Sequence, residues 1–179
     1  LDCEVYIDNV GVFDKSWKEH LTHLEAILKK LEDAGFTVNP LKCEWAVQET
    51  DFLGHYLTPE GIKPWKKKVD AIIKMERQTN VKELQSFFGL VNYYHDMWPH
   101  RSHILALLTE LTGKSKFEWT DECELAFKQM KAVAATDALL YYPDHNKTFD
   151  IETNTSDYQL GVVIKQDRRP IDYYTRKLN

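Results

Sequence analysis

The sequence predicts a mixed α+β fold, because three consecutive stretches differ in character. Residues 1–62 read as a β-hairpin, a helix and small strands, residues 63–115 carry helical patterns, and residues 116–179 pass from a helix into three strands. Hydrophobic residues make up 43% of the 179 residues, which is enough for one sizeable core or two small ones. We therefore expect three parts in series, divided at these boundaries.

The first part opens with a predicted β-hairpin. Two β-prone stretches within residues 3–13 flank the turn-forming pair Asp8–Asn9, so these polar residues should lie at its tip. A hairpin that lifts acids into a cleft is one way to hold the Mg²⁺ ions used in nucleotidyl transfer. Taken alone, the tetrad from Tyr6 to Asn9 also fits a turn pair without chemistry.

A helix and short strands should complete this part. Ser16 and Glu19 form a capping box, apolar residues then recur at helical spacing, and Gly35 offers a left-handed stop. Beyond the helix, residues 44–47 and 51–57 have the composition of short strands.

The second part should be a small helical unit. Pro64 suits the first turn of a helix that carries lysines at 66–68, and Thr79 suits the cap of a second helix ending near Pro99. A third helix is expected over residues 104–111. Four apolar side chains of the second helix should face inward: Leu84, Phe87, Phe88 and Val91.

The third part should begin with one more helix and end in strands. Thr120, followed by two acids, is a suitable N-cap. The side chains expected to face inward from this helix are Leu125, Phe127 and Met130. The predicted strands are residues 149–153, 158–165 and 171–174.

The charge is distributed unevenly along the chain. The total is −5, which argues against indiscriminate coating of nucleic acid. Residues 1–60 carry 5 basic and 12 acidic groups, residues 61–115 carry 9 and 5, and residues 116–179 carry 9 and 11. A surface that binds phosphate should therefore lie in the middle part.

The cysteines and the ends of the chain bear on its setting. Cys3, Cys43 and Cys123 are odd in number and widely spaced, which favours a reducing, intracellular setting over disulfides or a zinc knuckle. No apolar run reaches the roughly 18 residues that a membrane span needs, and no signal peptide is evident. Leu1 begins a stretch that already reads as strand, so we expect the numbered chain to start inside a longer product.

Sequence blocks along nearly the whole chain carry a family resemblance. The first three are VYIDNVGVF, NPLKC and FLGH, at residues 5–13, 39–43 and 52–55. Two more are KELQSFFGL and NYY, at residues 82–90 and 92–94. The last are FEWT, DIETNTSD and TRKLN, at residues 117–120, 150–157 and 175–179. In order and spacing they resemble the Pol polyprotein of Gypsy-type LTR retrotransposons, from the reverse-transcriptase palm into RNase H.

The resemblance implies a palm remnant at 1–62, a helical thumb at 63–115 and a connection with a truncated RNase H-like α/β domain at 116–179. It places Asp8 and Asn9 at the two positions that hold the paired active-site acids of the polymerase. Asp8 would be a Mg²⁺ ligand, whereas Asn9 has an amide in place of the second acid. Loss of that charge weakens Mg²⁺ binding. A third carboxylate would come from upstream of Leu1.

The RNase H motif is altered in the same manner. The family pattern Thr-Asp-x-Ser carries a metal-binding acid, whereas residues 153–156 place Asn154 at that position. Asp157 is interpreted as a turn or cap residue rather than a substitute ligand. The resemblance implies further acids beyond Asn179.

Nucleic-acid contacts are expected at two places besides Tyr6. By resemblance, Phe52, Leu53, Gly54 and His55 belong to the hairpin that positions the primer strand. The lysines that would face phosphates along the thumb are Lys63, Lys66, Lys67 and Lys68. A solvated helical face is the alternative for these lysines. His20 and His23 share a helix face and are interpreted as solvated surface rather than as metal ligands.

Three hypotheses about function follow. The first is a retrotransposon-derived polymerase and RNase H segment that lacks independent catalysis but retains weak binding to an RNA/DNA primer–template duplex. The second is a domesticated structural or accessory subunit, whose protein partner covers strand edges and the apolar surface around Trp98, Trp119, Phe149 and the pair Tyr173–Tyr174. The third is the ordered part of a complete polyprotein with weakened polymerase activity.

Overall fold

The structure, a computed structural model, describes residues 3–113, 116–156 and 159–178, and the chain divides into two units, residues 1–47 and 48–179. In the first unit, strands β1 (Cys3–Tyr6) and β2 (Asn9–Val12) pair antiparallel and precede helix α1 (Trp17–Asp33). The Ser16 hydroxyl oxygen accepts a hydrogen bond from the Glu19 amide at 3.3 Å, which confirms the predicted capping box.

Two strand predictions near the end of this unit and the start of the next are wrong in detail. Residues 44–47 form no strand, since Ala46 adopts a left-handed backbone with φ of 52° that breaks an extended run. Residues 51–57 form a hairpin instead of one strand. Its strands are β3 (Thr50–Phe52) and β4 (His55–Leu57).

This hairpin belongs to a four-stranded antiparallel sheet in the second unit, in the order β3-β4-β5-β6. Strand β5 (Gly61–Pro64) ends at Pro64, so the prediction that Pro64 opens a helix is wrong, because Pro64 pairs with His55 across the sheet. The edge strand β6 (Leu140–Tyr141) comes from a point almost eighty residues further along the chain. A Cβ on Gly61 would lie 2.1 Å from the Leu140 carbonyl oxygen, so this pairing requires glycine.

The described residues of the second unit also form four helices. They are α2 (Lys66–Lys74), α3 (Val81–Tyr93), α4 (Arg101–Glu110) and α5 (Asp121–Ala134). The N-cap of α3 is Asn80 rather than the predicted Thr79, because the Asn80 side-chain oxygen accepts from the Glu83 amide at 3.0 Å. Thr120 caps α5 as predicted. No helix in the described part of the chain is long and apolar enough to cross a membrane.

The core of the second unit lies among these helices. Its largest fully buried side chains are Trp98, Tyr94, Phe87, Ile72, Leu84, Leu108, Met130 and Val91. The inward prediction is therefore confirmed for Leu84, Phe87 and Val91 but wrong for Leu125, which is 59% exposed. The expectation of an uncovered surface at Trp98 is also wrong, since Trp98 packs against Tyr94 with ring centroids 5.7 Å apart.

The final three strands form a separate antiparallel sheet. Strands β7 (Asp150–Ser156), β8 (Gln159–Gln166) and β9 (Arg169–Lys177) pair in chain order. This agrees with the three predicted strands within the described residues. Strand β9 contacts the helical core, where the Tyr173 amide donates to the Asp96 carbonyl oxygen at 3.0 Å. Among the residues that the structure describes, β7 is an edge strand of this sheet and pairs only with β8.

Candidate nucleic-acid interface

The tip of the first hairpin is shifted by one residue from the prediction. Tyr6 pairs with Asn9, so the turn consists of Ile7 and Asp8, and Asn9 is the first residue of β2. Ile7 adopts φ of 56°, an unusual value for a β-branched residue. Tyr6, Asp8 and Asn9 are all exposed. The predicted polymerase residues thus remain together at an accessible hairpin tip.

These tip residues do not form a metal-binding set by themselves. The Asn9 side-chain amide nitrogen donates to an Asp8 carboxylate oxygen at 3.4 Å. Asp8 is therefore the single acid at the tip, and its carboxylate bonds to the neighbouring amide. Over residues 3–113, 116–156 and 159–178, no group of three or more His, Cys, Asp or Glu side chains could hold a metal ion. Two-metal chemistry requires several carboxylates. The donors described in this chain therefore do not fit the Mg²⁺ cluster that the family implies.

The first unit contains a second polar group that the sequence does not predict. Asp14, whose side chain is 2% exposed, accepts from His20 Nδ1 at 3.1 Å and from His23 Nδ1 through its other oxygen. Burial raises the pKa of Asp14, but the hydrogen bonds from His23 and His20 outweigh it and lower that pKa below its usual range. The two histidines are therefore half-buried partners of Asp14, and their interpretation as solvated surface is wrong.

The predicted primer-contacting hairpin has a two-residue turn. Phe52 pairs with His55, and the turn residues Leu53 and Gly54 have φ of 47° and 73°, the left-handed values of a type I′ turn. Leu53 is exposed, and the other three are half-buried. The hairpin thus presents one apolar side chain at its tip.

Two tyrosines at the end of α3 hold this turn. The Tyr93 hydroxyl donates to the Leu53 carbonyl oxygen at 2.6 Å, and the Tyr94 hydroxyl donates to the Gly54 carbonyl oxygen at 2.5 Å. Burial raises the pKa of Tyr94 to about 12, so its phenol stays a donor at neutral pH. In the sequence, these tyrosines stand out only as part of the NYY block that carries the family resemblance. No local pattern in the sequence predicts contacts across forty residues.

The lysines predicted to face phosphates have different environments. Lys66 and Lys67 are exposed in the first turn of α2, and the Lys68 ammonium nitrogen lies 3.3 Å from the centroid of the Tyr93 ring. Lys63 donates to both carboxylate oxygens of Asp137 at 3.1 Å. Lys66 and Lys67 therefore remain accessible for phosphate, whereas the charge of Lys63 is partly neutralised.

The predicted RNase H position lies on the last sheet. Asn154 is exposed on β7 and pairs with Gly161 of β8. A Cβ on Gly161 would lie 3.6 Å from the Asn154 carbonyl oxygen, an ordinary contact. Asp157 lies outside the described residues.

The order of parts in this chain defines a class of protein. An acid at an exposed hairpin tip, a second hairpin followed by helices, and a final antiparallel sheet follow one another along the chain. Residues 1–57 match the family described as reverse transcriptase (RNA-dependent DNA polymerase), and residues 119–179 match the RNase H-like domain found in reverse transcriptase. By these matches, residues 1–57 are a reverse transcriptase segment and residues 119–179 are an RNase H-like segment.

Curated relatives and solved structures agree with this assignment. The chain is 37% identical over 179 residues to the retrovirus-related Pol polyprotein from transposon 297 of Drosophila melanogaster, covering 99% of this chain and 17% of that protein. It is 29% identical over 180 residues to the transposon Tf2-7 polyprotein of Schizosaccharomyces pombe, covering 97% of this chain and 14% of that protein. The chain thus spans less than a fifth of the length of either relative.

Among solved structures, the chain is similar to the foamy viral protease-reverse transcriptase. The complex of that protein with dsDNA matches with a TM-score of 0.88 and 25% identity, over 99% of this chain and 38% of that one. Its complex with an RNA/DNA hybrid also matches with a TM-score of 0.88 and 25% identity, over 99% of this chain and 25% of that one. These matches agree with the predicted mixture of helices and small sheets.

Proposed function

We propose that this chain is a Gypsy-type reverse transcriptase and RNase H segment that binds a primer–template duplex and does not polymerise DNA by itself. Within it, residues 1–62 act as distal palm, 63–115 as thumb, and 116–179 as connection and RNase H-like part. The cationic start of α2 beside the Leu53–Gly54 turn carries the proposal. An intracellular setting, expected from the cysteine spacing, is part of the same proposal.

The first turn of α2 is a cationic helix end. Lys66, Lys67 and Lys68 occupy its first three positions, where the helix dipole is positive. The first turn holds no acid, and the N-cap residue Trp65 makes no capping hydrogen bond with its side chain. The Lys68 amide donates to the Trp65 carbonyl oxygen at 2.9 Å, so the amides of Lys66 and Lys67, together with the lysine side chains, form the phosphate-binding arrangement proposed here. A nucleic-acid backbone beside the hairpin would supply that phosphate.

Catalysis by this chain is not expected, because both motif positions carry an amide. Asn9 and Asn154 each replace a charged ligand by a neutral one, and ligand charge offsets the cost of dehydrating Mg²⁺. Asp8 alone cannot hold two ions. The proposal therefore keeps Mg²⁺ as the cofactor of the family and assigns this chain duplex binding.

Fluorescence anisotropy with a labelled RNA/DNA primer–template duplex tests the binding. We expect affinity that falls steeply with salt, and a double variant Lys66→Ala/Lys67→Ala whose slope of log affinity against log salt is smaller by about 2. A matched double variant, Lys18→Ala/Lys29→Ala, changes the charge equally at exposed positions of α1. An unchanged slope in the α2 variant would contradict the proposal.

Primer extension on an RNA template, with Mg²⁺ and with Mn²⁺, tests the absence of polymerisation. We expect no extension by the unaltered chain. The Asn9→Asp variant is tested in this chain and in a longer protein that includes the sequence upstream of Leu1. It shows whether the missing carboxylate is what prevents extension. Extension that appears or rises in Asn9→Asp would show a polymerase site that functions and would overturn the description as an inactive segment.

The exposed strand β7 favours a second candidate, an accessory subunit. Ile151 on β7, Phe149 just before it and Tyr174 on β9 are exposed apolar side chains around an edge strand. Such edges pair readily with another chain. Stable co-purification with a protein, together with no measurable duplex binding, would favour this role over the first.

A further inference from the structure

We propose that Tyr93 and Tyr94 are positioning residues that hold the Leu53–Gly54 turn against the end of α3, where it can meet the nucleic-acid strand. The inference rests on the proposed duplex binding. It assigns the tyrosines no contact with the reacting atoms. They act through the turn, by fixing where the β3–β4 hairpin lies relative to the lysines of α2.

The two hydroxyl groups bond to consecutive carbonyls of one turn. Tyr93 is the last residue of α3, and Tyr94 follows as its C-cap with φ of −112° and ψ of 39°. That break in helical geometry lets two adjacent side chains reach the same turn, at 2.6 Å and 2.5 Å from the Leu53 and Gly54 carbonyl oxygens. Two short hydrogen bonds to neighbouring carbonyls restrict both the distance of the turn from the end of α3 and its orientation.

The turn needs external support. Leu53 has a φ of 47°, in the left-handed region that is unfavourable for a residue with a Cβ. Gly54 makes the close approach of the tyrosine possible, because a Cβ there would lie 2.6 Å from the Tyr93 hydroxyl oxygen. Glycine is therefore required at position 54 for two reasons: the left-handed backbone and the contact with Tyr93.

The same tyrosines also connect the turn to the start of α2. The Trp65 amide donates to the Tyr94 hydroxyl oxygen at 3.2 Å, and Trp65 directly precedes the lysines. His55 stacks on the Tyr93 ring with centroids 5.6 Å apart, while Lys68 lies over that ring. Strand β4 stays paired with β5 without the hydroxyl groups, so their loss should loosen the Leu53–Gly54 turn while leaving that pairing and the ring contacts intact.

Phenylalanine variants of the full chain test this role, because they remove only the hydroxyl groups. Tyr93→Phe, Tyr94→Phe and the double variant are compared with Tyr142→Phe, a partly exposed tyrosine just after β6 at the opposite edge of the same sheet. Amide hydrogen exchange over residues 50–57 reports on the turn. Fluorescence anisotropy with the RNA/DNA duplex reports on duplex affinity. It is measured at a temperature well below the thermal unfolding midpoint of every variant.

We expect faster exchange at the hairpin in the Tyr93 and Tyr94 variants, and an affinity weaker by about fivefold for each hydroxyl removed. Tyr142→Phe should change neither quantity. Unchanged exchange at residues 50–57 would overturn the proposal, and so would faster exchange with unchanged duplex affinity. A third outcome separates the two proposals. If the unaltered chain bound no duplex while exchange still responded to the variants, positioning of the turn by the tyrosines would be supported and the proposed function would fail.

Discussion

At the scale of single residues, Asp14 joins the connection after the first hairpin to helix α1. Its buried carboxylate accepts from His20 and His23, which lie one turn apart on that helix. Each oxygen thus has its own imidazole donor, and the ring of Trp17 stacks on His20 with centroids 5.8 Å apart. A buried acid with both oxygens satisfied stabilises its surroundings only while it is ionised.

This arrangement predicts the pH dependence of the first unit. Folding lowers the pKa of Asp14, so its contribution to stability is complete above the unfolded aspartate pKa of about 3.9 and is lost as pH falls through the lower folded value. Asp14→Asn should therefore increase hydrogen exchange of the α1 amides at neutral pH, and its difference from the unaltered chain should shrink on acidification.

Asp33→Asn provides the control for that prediction. Asp33 is exposed in the last turn of α1, where the negative end of the helix dipole disfavours an acid. Its removal should leave exchange of the α1 amides unchanged or slightly slower at neutral pH. Equal exchange in Asp14→Asn and the unaltered chain would show that the carboxylate contributes nothing to the unit.

At the scale of elements, two glycines have different structural roles, one in a turn and one in a helix. Gly54 lies in the left-handed region with φ of 73° and close to Tyr93, whereas Gly89 lies on the exposed side of α3, where an added Cβ meets nothing within 4 Å. The same substitution should therefore act in opposite directions at these two positions.

Urea unfolding of two alanine variants measures this difference. Gly54→Ala should lower the free energy of unfolding by at least about 1 kcal/mol, because alanine is strained at positive φ and its Cβ displaces Tyr93. Gly89→Ala should raise it by roughly 0.5–1 kcal/mol, since alanine loses less backbone entropy in a helix. A Gly54→Ala variant as stable as the unaltered chain would contradict the described turn.

At the scale of the whole molecule, the second unit shares one core between parts that the family resemblance divides. Phe87 of α3 contacts Phe127 of α5 with ring centroids 4.9 Å apart, and the ring centroid of Trp119 also lies 5.6 Å from that of Phe127. The Lys131 ammonium also donates to the Met75 carbonyl oxygen at 2.7 Å. The thumb-like helices and the connection are therefore held together by a common apolar interior.

Removal of one ring tests that shared core. Phe127→Ala should destabilise the second unit by about 3–5 kcal/mol and should increase hydrogen exchange in α3 and α5 together. Leu125→Ala, at an exposed position of the same helix, should change stability by no more than about 0.5 kcal/mol. Faster exchange confined to α5 after Phe127→Ala would show that the helices do not unfold as one unit.

Local signals in the sequence determined much of this architecture. The capping side chains of Ser16 and Thr120 fixed where α1 and α5 begin, because a cap bonds to an amide only three residues away. Helical spacing likewise identified Leu84, Phe87 and Val91 as core residues. The turn-forming pair Asp8–Asn9, between two β-prone stretches, located the hairpin tip to within one residue.

Only the tertiary structure decided the contacts between distant segments. Nothing near Leu140 indicates that β6 pairs with β5, and nothing near Tyr93 or Tyr94 indicates a bond to the Leu53–Gly54 turn. Spacing also failed for Leu125, because burial depends on which helix face meets a neighbour. Local propensities act over a few residues, whereas these contacts depend on how the whole second unit closes around its core.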